Sequence, residues 1–349
     1  MVPASRQITF LANVQRLLGE GSFSATYKFS LLIALADLAV EHGDDSAAPL
    51  TINVKAIAEK FVTFYWRQAA EYRPRPAVKG VLAQNRERGK AAGVVRLVRE
   101  MQTRYAKLED ARRDQVRWRR LIASVASTIK LQPLWKLQLL GGESVPFLYA
   151  DVGTGDTITL LPGVAWCLRR HYALVVSLVR TAWLDFVRAL PANNELLGST
   201  QDLAAFMFGA DRAALEAYRP ILLDLQHGDC FYCERTINAV GHVDHFVPWS
   251  RYSLDLGHNF VLAHDSCNMR KGDRLAAVPH LARWCERNAE HGPELEKFYA
   301  EKKLVHDERA SREIARWAYS QVEATHGHVW MQGDALVELA PDWRALLAC

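Results

Sequence analysis

The stretch from Cys230 to Asp273, CFYCERTINAVGHVDHFVPWSRYSLDLGHNFVLAHDSCNMRKGD, is the most informative part of this 349-residue chain. Two short pairs of potential metal ligands stand near its ends, Cys230-x2-Cys233 and His264-x2-Cys267. Zinc binds four nitrogen or sulfur ligands in a tetrahedron, and two such knuckles brought together supply them. The sequence therefore predicts a structural Zn²⁺ site formed by these four residues.

Two alternatives to this zinc site stay open at the level of sequence. Cys230 and Cys233 would be buried free thiols if no metal bound, but the second ligand pair in the same segment would then have no explanation. His227 and His258 compete with His264 for the fourth ligand position, although neither has the two-residue spacing to a cysteine.

Between the knuckles the sequence predicts a strand, a loop, a second strand and a helix. HVDHFV (His242–Val247) and NFVLAH (Asn259–His264) have the composition of strands, and a helix is expected from Ser266 to Leu275. Polar residues that suit phosphodiester chemistry stand at the ends of these elements. They are Asp244, His245, Asn259 and Asn268.

Hydrolysis of a phosphodiester needs a base for water and a cation that offsets charge on the phosphate and the leaving oxygen. A histidine titrates near neutral pH, so His245 fits the base. Adjacent strand residues point to opposite faces, so Asp244 is expected to act differently, and its carboxylate suits Mg²⁺ or Mn²⁺. Asn268 can offer a second oxygen to that cation, and Lys271, one turn on, can hold phosphate as a point charge.

These residues resemble the zinc-knuckle version of the HNH endonuclease superfamily, whose pattern is C-x2-C, then VDH, then N, then C-N-x2-K. The resemblance implies a ββα-metal module in the C-terminal third of the chain. It implies that His245 is the general base and that Asp244 and Asn268 bind the catalytic cation. It also implies that Asn259 holds the loop by hydrogen bonds. The chain departs from many zinc-bearing members by having His264 where they have cysteine.

The remainder of the chain is predicted to be mainly α-helical with one small β-hairpin. PFLYADV and TITLL flank the turn signal Gly153–Asp156, which predicts a hairpin between Val145 and Pro162. We expect four parts. They are residues 1–140, a helical and basic DNA-binding or regulatory domain; 141–225, the hairpin plus helices; 226–276, the HNH module; and 277–349, C-terminal helices.

Charge is distributed unevenly along the chain. From Trp66 to Lys136 there are 18 Lys and Arg against 6 Asp and Glu, whereas the remainder has 25 against 33. A basic block on an acidic chain favours a polyanionic partner, although basic helices are also common as solvated surfaces. The expected nucleic-acid contacts are Arg112, Arg113, Arg117, Arg119 and Arg120 in this block, and Arg251, Arg270 and Lys271 near the module.

Together these patterns predict a divalent-metal-dependent DNA endonuclease. The sequence shows no apolar signal segment and no stretch apolar enough to cross a bilayer, so a cytoplasmic protein without membrane contacts is expected. The helical regions loosely resemble those of bacterial restriction or phage-defence (antiviral) nucleases, which makes a homodimer or other defence-system subunits candidate partners. A non-catalytic zinc module that binds DNA or protein is the main alternative, and an RNA-directed nuclease is a third.

Overall fold

The computed structural model describes residues 2–75, 78–87, 92–150, 155–197, 203–209 and 215–348. The chain divides into two compact units, Met1–Gly209 and Ala210–Cys349. It is 58% helical, and its strands form small antiparallel pairs, which confirms the mainly α fold class. Within the described residues, no helix combines the length and the apolar character needed to cross a membrane.

In its described residues, the first unit is built from helices with three short strand pairs. Its helices are Ala4–Glu20, Tyr27–His42, Val54–Gln68, Gly93–Gln102, Leu108–Arg113, Gln115–Leu131, Pro133–Lys136, Val164–Arg170, Tyr172–Arg188, Asn194–Leu197 and Leu203–Phe208. Its antiparallel pairs are Leu50–Asn53 with Thr157–Leu160, Tyr72–Arg75 with Val78–Gly80, and Leu139–Leu140 with Glu143–Ser144.

The helix Tyr27–His42 forms the centre of the first unit, because every residue from Lys28 to Val40 is buried. A helix that is apolar on all sides must be surrounded by other elements. The last carbonyl oxygens of a helix need donors from outside it, and Arg169 is such a donor here. Its Nη1 donates to the oxygen of Val40 (2.8 Å) and to that of Ala39 (3.1 Å), which also accepts from the Gly43 N–H. This buried guanidinium ties the end of the central helix to the rest of the unit.

The hairpin predicted between Val145 and Pro162 is organised differently in the structure. Thr157–Leu160 pairs along its whole length with Leu50–Asn53, and its contact with the other predicted arm is a single bridge between Tyr149 and Leu160. Part of the predicted turn, residues 153 and 154, lies outside the described residues. Alternating apolar and polar residues predict a strand, but they do not predict which strand pairs with it. Any antiparallel neighbour with an apolar face is compatible with the pattern.

The second unit carries the informative segment. Its α-helices are Arg219–Leu225, Asp265–Lys271, Val278–Lys302, Glu308–Ala324 and Trp343–Leu346. Its strand pairs are His242–His245 with Phe260–Ala263, and His328–Gln332 with Ala335–Glu338. The last of these pairs was not predicted from the sequence.

The second strand of the segment, Phe260–Ala263, lies at the centre of this unit. All four of its residues are buried, and Phe260 and Leu262 belong to a core that includes Tyr218 and Tyr299. The long helix Val278–Lys302 holds the backbone at the start of this strand. The buried Arg287 donates from Nη1 to the Phe260 oxygen (2.7 Å) and from Nη2 to the His258 oxygen (2.8 Å).

Candidate functional site

The segment forms a strand, a loop, a second strand and a helix, in the order that the sequence predicted. His242–His245 runs antiparallel to Phe260–Ala263, with Asp244 opposite Val261 and His245 opposite Phe260. The helix Asp265–Lys271 follows the second strand directly. Asp244 and His245 therefore stand at the end of the first strand, beside the loop that joins the two strands.

Both knuckles meet in one cluster. The ligand atoms of Cys230, Cys233, His264 and Cys267 all lie within 4.8 Å of one another, and Cys233 Sγ is 3.3 Å from His264 Nδ1. A tetrahedral zinc ion with ordinary bond lengths places its ligand atoms roughly 3.5 to 3.8 Å apart. The three cysteines and the histidine expected from sequence therefore fit one zinc ion, with four protein ligands and no open position.

The orientation of His264 supports its assignment as the fourth ligand. Nδ1 faces the cluster, while Nε2 is 3.3 Å from the carbonyl oxygen of Thr236, which fixes the tautomer that a metal-bound Nδ1 requires. Among the described residues, the alternative ligands His227 and His258 are not part of this cluster. The ring of His258 instead packs against Tyr299, with centroids 5.5 Å apart.

The thiols of the cluster are crowded. Burial and the neighbouring Cys230 and Cys233 raise the pKa of Cys267 to about 12. Three sulfurs this close together repel one another once deprotonated, so a bound divalent cation removes an electrostatic cost. The donor set thus suits a metal ion better than it suits three free thiols.

Asp244 lies at the centre of a buried polar group. Its Oδ2 accepts a hydrogen bond from the Tyr232 hydroxyl (2.6 Å) and lies 2.9 Å from Lys271 Nζ. Lys271 is fully buried and also donates to the carbonyl oxygen of His245 at 2.8 Å. Among the described residues, both polar contacts of the carboxylate side chain use Oδ2, which leaves Oδ1 as the oxygen able to bind a cation.

The position of Lys271 differs from the phosphate contact expected from sequence. The end of the helix Asp265–Lys271 packs against the first strand, so the long side chain points inward and ends on Asp244. An ammonium with no exposed surface cannot reach a phosphate at the surface. Lys271 is the electrostatic partner of Asp244.

His245 has a carboxylate partner that was not predicted from the sequence. Its Nε2 lies 2.6 Å from Asp255 Oδ1, and its ring makes an edge contact with Phe260 at a centroid distance of 4.8 Å. A carboxylate at Nε2 favours the tautomer with the proton on that atom and the lone pair on Nδ1. Asp255 stands in the loop between the strands, where no fixed spacing marks a partner for the histidine.

Asn259 fastens the loop that follows the first strand. Its Oδ1 accepts from the backbone nitrogen of Val247 (2.8 Å) and its Nδ2 donates to the carbonyl oxygen of Val247 (3.0 Å). The two bonds fix the backbone two residues after His245. Asn268 is half-buried in the helix, one turn before Lys271.

The basic residues expected at the module differ in exposure. Arg270 is exposed, whereas Arg251 is half-buried and donates from Nε to the carbonyl oxygen of Asp273 at 3.2 Å. Burial lowers the pKa of Arg251. Of these two side chains, Arg270 is the one placed to meet a ligand from solution.

The five arginines of the basic block lie in the first unit, on the helices Leu108–Arg113 and Gln115–Leu131. Arg112 donates to Thr63 Oγ1 (3.0 Å), Arg113 pairs with Asp110, and Arg117 pairs with Asp114 at 2.6 Å. Arg119 and Arg120 are exposed on the second of these helices. Intramolecular contacts therefore engage at least three of the five guanidinium groups.

Comparison with known proteins finds similarity in the segment that carries the two knuckles. A family model of HNH endonucleases matches residues 230–277, which include both knuckles and every polar residue discussed between them. No curated protein and no solved structure shows significant similarity to the chain. The match confirms the HNH resemblance that the motif predicted for this segment.

Zinc binding can be tested by removing one ligand. Cys233→Ser is expected to abolish stoichiometric zinc and lower the melting temperature, because a structural zinc site contributes its binding energy to folding. Metal analysis by mass spectrometry and thermal unfolding measure the two effects. Cys285→Ser is the matched control, since Cys285 is also half-buried but lies outside the cluster. Zinc retained by the Cys233 variant would contradict the assignment.

The buried ion pair makes a second prediction. Lys271→Met leaves Asp244 buried without its cation, which is expected to cost about 3–5 kcal/mol. Combining it with Asp244→Asn should recover part of that loss, because neither side chain then carries a charge. Amide hydrogen exchange of the strand Phe260–Ala263 measures the stability locally. Losses that simply add in the double variant would show that the two side chains do not interact.

Proposed function

We propose that the segment 230–277 hydrolyses DNA phosphodiester bonds with a divalent cation, Mg²⁺ or Mn²⁺, and with His245 as the general base. The observation that carries the proposal is the arrangement at the end of the first strand. There, a histidine held by a carboxylate follows a buried aspartate with one oxygen free. The family whose model matches this segment consists of endonucleases.

The proposed role of His245 follows from its contacts. Asp255 accepts a hydrogen bond from Nε2–H, so Nδ1 is the atom that takes a proton from water. The edge contact with Phe260 restricts rotation of the ring. As the imidazole becomes charged, the Asp255 carboxylate 2.6 Å away stabilises it, which is how a carboxylate assists a catalytic histidine elsewhere.

Asp244 and Asn268 are the proposed ligands of the catalytic cation. When bound, this cation supplies positive charge that offsets the negative charge on the phosphate and the leaving oxygen. Lys271 and Tyr232 hold Oδ2 of Asp244 and thereby fix the plane of its carboxylate. Oxygen ligands from a carboxylate and an amide suit the hard cations Mg²⁺ and Mn²⁺.

Zinc has a structural role in this proposal. Four protein ligands close the coordination sphere, so no position remains for water or substrate. His264 immediately precedes the helix Asp265–Lys271, and Cys267 lies within it. The zinc ion would therefore fix the start of the helix that carries Asn268.

One such site cuts one strand at a time, so a single chain would nick duplex DNA. A double-strand break would need two chains or two successive events. The restriction or phage-defence setting stays a prediction, as does a homodimer or a complex with other defence-system subunits.

The decisive experiment incubates plasmid DNA with the purified protein and Mg²⁺ or Mn²⁺. His245→Ala is expected to slow cleavage by roughly 10²- to 10⁴-fold, the usual contribution of a general base. His242→Ala is the matched control, because His242 lies on the same strand but is exposed, with Nε2 3.6 Å from Asp265. Asp255→Asn should reduce the rate of the catalytic step more than it reduces DNA affinity.

Three outcomes would overturn the proposal or redirect it. Cleavage that survives His245→Ala removes the histidine from the mechanism. DNA binding without cleavage under all metal conditions favours the non-catalytic zinc module. Preferential cleavage of RNA of the same sequence assigns the substrate to the other nucleic acid.

DNA binding by the basic block is proposed for its exposed members. In the His245→Ala background, which leaves DNA intact, Arg119→Glu with Arg120→Glu is expected to weaken binding. The slope of log affinity against log salt should also decrease by about 0.9 for each phosphate that the variant no longer neutralises. Arg188→Glu is the control, since Arg188 is exposed in the same unit but lies outside the block. Unchanged affinity and slope would contradict DNA binding at this surface.

A further inference from the structure

A cavity of about 320 Å³ opens in the first unit, and its lining includes none of the residues proposed as catalytic. Among the described residues, its charged lining consists of three cations, Lys28, Arg86 and Lys136, and one carboxylate, Glu87, which is exposed. Hydrogen-bonding groups complete the wall. They include the side chains of Ser22, Ser24, Asn85 and Gln132.

Lys28 is the most unusual member of this lining. Only 6% of its surface is exposed, although it lies on the central helix Tyr27–His42. Its Nζ lies 5.5 Å from the centre of the Phe23 ring, and no carboxylate or hydrogen-bond acceptor pairs with it among the described residues. Burial and the charge of Lys136 lower the pKa of Lys28 to about 8. The side chain is largely removed from water while its ammonium borders the cavity without an anion, so a ligand that supplies the anion there would be stabilising.

A helix begins at the same cavity. Ala92 and Gly93 line it, and the helix Gly93–Gln102 has no side-chain cap and no acidic residue in its first turn. The start of a helix carries a partial positive charge and backbone N–H groups without helical partners, which favour an anion. At this helix the Val94 N–H already donates to the Tyr27 hydroxyl (2.8 Å), so a bound anion would share the helix start with that hydroxyl. The structure leaves room there, because a Cβ on Gly93 would meet only the Tyr27 hydroxyl, at 3.6 Å.

We propose that this cavity binds a small phosphate monoester of nucleotide size, with its phosphate between Lys28 and the start of the helix Gly93–Gln102. A phosphate group offers several strong acceptor oxygens, which match an ammonium, backbone N–H groups and the serine hydroxyls together. The volume lies near the lower end for small-molecule sites, roughly 300–1,000 Å³, so it admits one nucleotide and excludes a folded polymer.

Titration calorimetry on the full chain at constant ionic strength tests this site. Adenosine 5′-monophosphate and inorganic phosphate are expected to bind, whereas adenosine, which lacks the phosphate, is not. Lys28→Met keeps the buried methylene groups but removes the charge, and should weaken binding of the monophosphate at least about tenfold, equivalent to 1.4 kcal/mol. Lys107→Met is the matched control, because Lys107 is exposed and lies outside the cavity.

A second variant keeps the test valid if Lys28→Met folds poorly. Gly93→Asp adds a carboxylate to the first turn, which favours the helix but repels an anion in the cavity. It should therefore keep the melting temperature of the parent protein and lose phosphate binding. A short oligonucleotide with a 5′-phosphate that displaces the monophosphate would assign the phosphate to a DNA end, and failure to displace it would assign it to a free ligand.

Three results would overturn the proposal. The first is that neither phosphate probe binds the parent protein at millimolar concentration. The second is that the monophosphate binds the folded Lys28→Met or Gly93→Asp variant as tightly as it binds the parent. The third is that adenosine binds as tightly as the monophosphate, because the phosphate would then contribute nothing.

Discussion

The ion pair between Lys271 and Asp244 joins the last turn of the helix Asp265–Lys271 to the first strand of the module. Both side chains are buried, and removing two charges from water costs several kcal/mol per ion unless their geometry and hydrogen bonds compensate. Here the compensation is extensive, since Lys271 also donates to the His245 carbonyl and Tyr232 donates to Asp244. Strand, helix and first knuckle therefore converge on one carboxylate.

This convergence couples the zinc cluster to the candidate active site. Tyr232, which donates to Asp244, lies between the two cysteines of the first knuckle, and Asn268 directly follows a cysteine of the second. A zinc ion that fixes Cys233 and Cys267 therefore also limits the movement of Tyr232 and Asn268. Because Tyr232 and Asn268 are each adjacent in sequence to a cysteine of the cluster, a zinc ion bound there would leave these two side chains little conformational freedom.

The helix Val278–Lys302 supports the module from outside the segment that carries the motif. Arg287 and Trp284 donate to the carbonyl oxygen of His258, and Trp284 stacks on Phe246 with ring centroids 5.1 Å apart. These contacts fix the loop and strand on both sides of Asn259, which in turn clamps Val247. The geometry around His245 thus depends on residues that lie outside the HNH motif.

The sequence by itself determined the residue types, the two knuckles, and the order of strand, strand and helix, because ligand spacing and hydrophobic periodicity are local properties of the chain. It also predicted that Asp244 and His245 stand near a strand end. Tertiary structure alone decided that Lys271 turns inward to Asp244, that Asp255 reaches His245, and that Thr157–Leu160 pairs with Leu50–Asn53.

The cavity around Lys28 could not be predicted from the sequence either, because in the sequence this lysine is one cation in an apolar helix. Each of these features joins residues that are distant in sequence or that share no fixed spacing. Their partners are therefore selected by how the whole unit packs, and long-range packing leaves no periodic signal along the chain.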